Sequence, residues 1–477
     1  MNIIGRFDEQ QTILDCVRSG KPEFLVVYGR RRVGKTYLIR EYFKNRFAFY
    51  ASGIPGENTR EQLRVWNDSL KRYGSKEKRI PDDWLEAFSR LRDLLESNNV
   101  SREPDSDRIV VFLDELPWMD TPRSGFKNAL DYFWNTWGSA RSDLLLIVCG
   151  SATSWIIDNI ITNTGGLYNR ITRQIRLKPF SLSECEKQFV ADGHIVSRNQ
   201  VIESYLVFGG IPYYINMCVK SLSVSQNVDR LLFSDNAQLG MEYENLFRSL
   251  FRNPDGYLTL IERMAGRRAG FTRNELLEMK DTPSGGKLTR ILTELEQCGF
   301  IRKYRDYRYE KKESVYQVPD PFVLFCVNFL KKREYESWTG FIGTPGYYAW
   351  RGYAFEIAGL NHIREIKSAL GISGVETKEY AWRSKTGDGG AEIDLVLDRR
   401  DDVINVCEMK YSDEPFVISA DYEKKLIHKM EMFRTETRTA KALRLTLITV
   451  NGLAKNTHSQ IVQNVITADE LFGGGGL

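Results

Sequence analysis

The chain has 477 residues, 42% hydrophobic and 27% charged, which excludes disorder as the default and allows about three domains. A formal net charge of only +4 excludes a global basic field, so any nucleic-acid surface must be a local patch. Seven cysteines stand singly without CxxC spacing, and the four histidines lack ligand spacing, which argues against a disulfide frame or a zinc site.

The first residues, Met1–Arg6, lack the apolar core of a signal peptide. The longest apolar runs, around Leu144–Cys149 and Phe322–Leu330, are too short for a membrane span. A soluble, cytoplasmic protein without a membrane partner is expected. Over residues 1–180, apolar runs alternate with amphipathic segments, which reads as α/β. The predicted strands are Phe24–Tyr28, Phe47–Ala51, Ile109–Leu113, Leu144–Val148 and Ile175–Leu177. Residues 181–248 read as mostly helical, and 249–335 as helices followed by a hairpin. A loop rich in glycine and aromatics near Gly340–Tyr348 separates a last α/β unit, 345–477, which ends in the flexible Gly473–Gly476.

Strand Phe24–Tyr28 runs into Gly29-Arg30-Arg31-Arg32-Val33-Gly34-Lys35-Thr36 and then a helix-forming stretch from Tyr37. This is G-x4-G-K-T in its strand–loop–helix context. The glycines Gly29 and Gly34 let backbone N–H groups wrap phosphate oxygens, with Arg32, Val33 and Tyr37 along the cradle, and the helix N-terminus adds its dipole. Lys35 is expected on the β- and γ-phosphates of ATP and Thr36 on Mg²⁺. The buried strand Ile109–Leu113 ends in Asp114 and Glu115, where open α/β sheets bind ligands. Asp114 is expected to hold Mg²⁺, and Glu115 to polarise the attacking water. Ser151, after the third strand, is either a γ-phosphate sensor or part of a Gly-Ser turn. In Tyr168–Arg173, Arg170 or Arg173 is an arginine finger, in cis or from a neighbouring subunit, or else a surface ion pair.

These pieces together resemble the archaeal-type P-loop ATPases of the AAA+-related STAND group over residues 1–235. The resemblance also rests on Ile4–Glu9, Leu177–Phe180 and Gly209–Tyr214. It implies that Arg6 lies near the adenine and that Gly209–Tyr214 belongs to a helical lid. A homo-oligomer through the ATPase domain is a separate partner expectation, and the sequence does not fix the oligomeric state.

Thr272–Glu275 is a capping box, and Leu288, Ile291, Leu292 and Leu295 define an amphipathic helix that Gly299 ends. Two strands follow around the basic, aromatic tip Tyr307–Lys312. The segment resembles a winged helix-turn-helix, with helix 285–298 in the recognition position, and is either a DNA-contacting or a protein-contacting module.

Trp350–Glu356 opens a helix, and Ala391–Leu397 and Val403–Lys410 read as a β-hairpin. Two-residue periodicity puts Glu408 and Lys410 on one face, with Asp394 able to lie beside them. Two carboxylates suit Mg²⁺, and a lysine can activate water for phosphodiester cleavage. This resembles the PD-(D/E)xK nuclease superfamily in the form appended to archaeal-type ATPases. The resemblance carries over Glu356, Asp394, Glu408 and Lys410, with Asp394, Glu408 and Glu356 as metal ligands. Ile393 stands where the motif has proline. Lys424, Lys425 and Lys429 form either a phosphate-facing strip or a wet face.

The expected protein is α/β and multidomain: a P-loop NTPase parallel sheet (1–180), a helical lid (181–248), a winged helix-turn-helix (249–335) and a restriction-endonuclease-like α/β domain (345–477). The expected cofactors are ATP and Mg²⁺, and the expected partner is nucleic acid, DNA before RNA. The expected function is ATP-regulated DNA processing. The alternatives are an ATP-switched scaffold whose last domain is non-catalytic, and a transcription regulator that uses the winged helix alone.

Overall fold

The computed structural model describes residues 3–97, 100–104, 106–162, 169–251, 253–280, 282–307, 314–332, 335–384 and 390–473. Tyr168, the hairpin tip 308–312 and Gly474–Gly476 therefore lie outside the described residues. The chain divides into two compact units, 1–179 and 180–477. Among the described residues, no helix is long and apolar enough to cross a membrane.

The first unit is built on β1 (Glu23–Tyr28), β2 (Phe49–Ser52), β3 (Ile109–Asp114), β4 (Leu144–Gly150) and β5 (Arg173–Arg176). They form one sheet in the order β2-β3-β4-β1-β5, parallel throughout. β1, β3 and β4 are buried along their whole length. That is why they read as unbroken apolar runs rather than alternating ones. Helices Thr59–Arg72, Trp84–Leu95 and Phe126–Thr136 supply an aromatic core. Trp84 meets Trp66 edge-on at 5.3 Å and Phe126 at 4.8 Å between ring centroids. Asn58 and Asp83 cap the first two helices by accepting from the Glu61 and Glu86 amides.

The strand order has one consequence for function. β4 lies between β1 and β3, so the loops leaving all three strands emerge side by side at their C-terminal ends.

The second unit begins with helices Leu182–Ala191 and Arg198–Phe208, each opened by a serine capping box. Its strands are β6 (Phe271–Thr272), β7 (Arg302–Asp306), β8 (Ser314–Gln317), β9 (Thr377–Arg383), β10 (Glu392–Arg399), β11 (Val403–Lys410), β12 (Ala442–Thr449) and β13 (Asn464–Ile466). All eight share one mixed sheet, ordered β13-β12-β11-β10-β9-β7-β8-β6. The Thr272–Glu275 capping box opens helix Arg273–Glu278, and helix Gly285–Cys298 precedes the β7–β8 hairpin.

Two features of this unit depart from the sequence reading. The hairpin is joined to the last 130 or so residues of the chain: β7 pairs in parallel with β9, matching Arg305 to Tyr380 and Asp306 to Ala381. The Tyr307 amide then donates to the Ala381 carbonyl at 3.1 Å, and its ring packs on Tyr380 and Phe433. Second, Gly340–Tyr348 is not a separating loop. It holds helix Trp338–Phe341 and the start of helix Pro345–Asn361. Its aromatics close a core with Phe325 and Phe329, in which Trp338 lies 4.9 Å from Phe325 and 5.0 Å from Trp350. Burying that apolar area outweighs the glycine content that made the segment read as a loop.

Candidate functional site

Gly29 and Gly34 adopt φ values of 147° and 93°, which side-chain-bearing residues rarely reach. A Cβ on Gly29 would also collide with the Leu177 carbonyl. These glycines turn the chain from β1 into helix Lys35–Tyr42, whose first residue is the loop lysine itself. Lys35 is buried, and its ammonium donates to the Gly29 and Arg30 carbonyls, both at 2.9 Å. Burial pulls its pKa below the usual lysine value, and Cys149, Glu115 and Asp114 act against that shift. Arg6, in left-handed conformation and buried, reaches across to the Val33 carbonyl at 3.3 Å. Arg32 is also left-handed, and Tyr37 stands exposed on the outer face of the helix.

From β3, Asp114 accepts the Thr36 hydroxyl at 2.8 Å. Burial raises the Asp114 pKa and the neighbouring Glu115 charge adds to the rise, so the carboxylate is held at a cost that a cation would relieve. Thr36 and Asp114 form a paired hydroxyl and carboxylate beside the phosphate loop, a hard-oxygen set that fits Mg²⁺. Glu115 takes φ 47°, a left-handed conformation that is uncommon for a glutamate. This turns its side chain toward β4, where Glu115 accepts the Ser151 hydroxyl at 2.7 Å and the Ser151 amide at 3.3 Å. Arg170 and Arg173 lie exposed just before and at the start of β5. Among the described contacts, neither reaches Lys35, Asp114 or Glu115.

Residues 4–218 match a family described as an ATPase domain predominantly from Archaea. The chain thus carries an archaeal-type ATPase domain, and the match extends through Gly209–Tyr214. An uncharacterized protein of Methanocaldococcus jannaschii is 24% identical over 427 residues, covering 86% of this chain and 88% of the relative. The Walker-type ATPase of Pyrococcus abyssi is similar with TM-score 0.49 and 20% identity, over 69% of this chain and 96% of that one. The Aeropyrum pernix ORC2 protein is similar with TM-score 0.44 and 14% identity, over 70% of this chain and 95% of that one.

A second cluster lies in the second unit, on β10, β11 and two of its helices. Glu408 and Lys410 project from one face of β11, with Lys410 Nζ 2.9 Å from Glu408 Oε1. Helix Ala420–Thr437 crosses them. Lys429 bonds Glu408 Oε2 at 2.8 Å, and the Tyr422 hydroxyl bonds Oε1 at 2.6 Å. Burial works against the Glu408 carboxylate, yet Lys410 and Lys429 bring its pKa down to about 2. Asp394 stands on the adjacent antiparallel β10, and burial followed by the Glu408 charge raises its pKa to about 6. Glu356, on helix Pro345–Asn361, is raised to about 8 by burial and then by Asp394.

The four residues therefore sense one another, but they do not converge as the expected three-carboxylate ligand set. Among the described residues, no three His, Cys, Asp or Glu side chains stand close enough to hold a metal ion. The physical reason is visible at Glu408, whose two oxygens are already taken by two ammoniums and a phenol. Asp394 and Glu408 are the carboxylates that would have to hold a Mg²⁺ here, and the cation would neutralise their charge. Tyr422 and Lys429 were not singled out as partners of Glu408 in the sequence. Their spacing of seven puts them on one helical face, which the pattern does show; that this face meets Glu408 is a tertiary fact. Lys424 and Lys425 are exposed.

Proposed function

We propose that this protein is an ATP-hydrolysing, DNA-processing enzyme whose last domain cleaves phosphodiesters with Mg²⁺. The observation that carries the reading is the acid–lysine cluster of β10, β11 and helix Pro345–Asn361, held in a unit with a basic hairpin that resembles a winged helix. Asp394 and Glu408 would hold the cation, and Lys410 would orient the attacking water. When bound, Mg²⁺ would supply charge neutralisation to the phosphodiester. In the other unit, Lys35 and the loop amides would grip the triphosphate, and Glu115 would position water. The experiment incubates the full chain with ATP and Mg²⁺ or Mn²⁺ on single-stranded, duplex and plasmid DNA and on RNA. Lys410→Ala and Asp394→Ala should lose cleavage and keep ATP hydrolysis. A wild-type chain that cuts none of these substrates sinks the reading.

A second reading is favoured by the saturation of Glu408 with lysine and tyrosine partners. In it, the last domain is a recognition module and ATP switches assembly. Light scattering and gel shift with and without ATP separate the two, because nucleotide-dependent assembly without nucleic-acid affinity supports the second.

A further inference from the structure

Helix Ala420–Thr437 is held on the sheet in two different ways. Its far half is fixed by Phe433, whose ring meets Trp382 at 5.3 Å and Tyr307 at 5.1 Å between centroids. Its near half buries one side chain, Leu426, and leaves Lys424, Lys425, Ile427 and His428 exposed. There the hold is largely polar: His458 Nδ1 lies 2.7 Å from Glu423, and Tyr422 and Lys429 both reach Glu408.

The Glu408 side chain is 5% exposed, and a phenol and two ammoniums share its oxygens. Oε1 accepts the Tyr422 hydroxyl at 2.6 Å and lies 2.9 Å from Lys410 Nζ, while Oε2 accepts Lys429 at 2.8 Å. The two lysines differ in what holds them. Lys410 belongs to β11, beside Glu408 on the same face, so the strand itself fixes that pair. Lys429 comes from the helix, with a side chain 25% exposed and a flexible stem that can swing its ammonium out to water. It is the movable member of the set. A divalent cation and an ammonium on one carboxylate repel each other, and burial of that carboxylate sharpens the conflict. The cation therefore gains Oε2 only when Lys429 gives it up.

Resting on the reading that Asp394 and Glu408 hold the cation, we infer that Lys429, assisted by Tyr422, is a positioning residue that locks Glu408: a built-in counter-charge that a divalent cation must displace before it binds at Asp394 and Glu408. The saturation of Glu408 is then a gate that sets how much cation the last domain needs, and not the loss of the site. Lys425, on the same helix and turned to water, carries the same charge and, among the described contacts, does not reach Glu408. It separates displacement from a general effect of charge, because an exposed ammonium is screened by salt and one bonded to a buried carboxylate is not.

The test titrates the full, nucleotide-free chain with Mn²⁺ in salt of roughly 0.15 M and reads free Mn²⁺ by electron paramagnetic resonance. Loss of a bound equivalent in Asp394→Ala identifies the site. Lys429→Met keeps the stem and removes the charge. It should bind Mn²⁺ there at least about tenfold more tightly than the wild type, the worth of one charge-assisted bond that no longer has to be broken. Tyr422→Phe should tighten binding by less, Lys429→Arg should leave it near the wild type, and Lys425→Met should change it by less than about twofold. The gain in Lys429→Met should vanish when Asp394→Ala is added. Tyr422→Phe removes one hydroxyl, so it keeps the test decisive if Lys429→Met folds poorly by circular dichroism. Unchanged or weaker Mn²⁺ binding in both Lys429→Met and Tyr422→Phe overturns the lock, as does an equal gain in Lys425→Met. If Lys429→Met tightens binding as stated and no variant cleaves nucleic acid, the lock stands and the nuclease reading falls. If the wild type cleaves and already binds Mn²⁺ as tightly as Lys429→Met, the lock falls and the nuclease reading stands. If neither chain binds Mn²⁺ at Asp394, both fall.

Discussion

Lys35 bonds two carbonyls of its own loop, so an incoming triphosphate has to exchange those oxygens for its own. Lys35→Ala removes the only ammonium of G-x4-G-K-T, and ATP affinity should drop at least about tenfold in a fluorescent-nucleotide titration, the worth of one charge-assisted contact. Glu115→Gln keeps the side chain's shape and should leave that affinity in place, while hydrolysis slows by about 10²–10⁴ in a phosphate-release assay. Glu356 makes a prediction about pH. Burial and the Asp394 charge push its carboxyl up to about 8 in the folded chain, against an ordinary value near 4.5, so the folded state prefers the proton. Below 4.5 both states are protonated and the residue costs nothing. As pH rises toward 8 only the unfolded state ionises freely, and stability falls. Glu356→Gln should therefore raise the unfolding midpoint above pH 8, by a change on the order of a few kcal/mol, and leave it unchanged below about pH 4.5. Glu408 has the opposite sign. Its depressed pKa stabilises the fold above 4.5, and that contribution is lost as pH falls toward 2.

At the scale of elements, local signals and long-range pairing separate cleanly. β1, β3 and β4 were legible because their short apolar runs stop at turn or acidic residues and alternate with amphipathic segments, whereas the apolar run Phe322–Leu330 is helical. β11 was legible to the residue, Val403–Lys410, and helix Gly285–Cys298 likewise. β9, with exposed Lys378 and Glu379, has no comparable signal; it is a strand because β10 and β7 pair with it. β12 alternates well enough to be read, but its parallel register with β11 across a helix is not a local property. The acid–lysine set was legible in part, because Glu408 and Lys410 share a strand. Arg302, which lines a small cavity with Glu356 and Asp394, was not tied to it, since β7 is about 90 residues from β10 in the chain. One element contact bears directly on the set: a Cβ on Gly359 would approach Met409 Sδ to 2.5 Å. Gly359→Ala should push helix Pro345–Asn361 off β11 or displace Met409. The expected loss is about 1–3 kcal/mol in a denaturant titration, and partial recovery is expected when Met409→Ala is added.

At the scale of the molecule, the two compact units predict how the protein unfolds. Calorimetry should show two transitions. ATP with Mg²⁺ should raise only the one belonging to residues 1–179, by about 2.7 kcal/mol at a hundredfold excess over Kd. The other should respond to Glu356→Gln. A single transition that ATP shifts as a whole would contradict this division.

The β7–β9 pairing also determines where the chain can be cut. An excision at residues 335–345, where the aromatic-rich stretch invites it, would strip β9 of its neighbour and leave a bare row of amides and carbonyls beside the uncovered Tyr380 and Phe433 rings. Such an edge recruits other chains, so a fragment 345–477 made alone should precipitate or associate, and a graft of it onto a sister ATPase should fail. A splice after Pro179 keeps that sheet whole but cuts within the segment 4–218 that matches the ATPase domain.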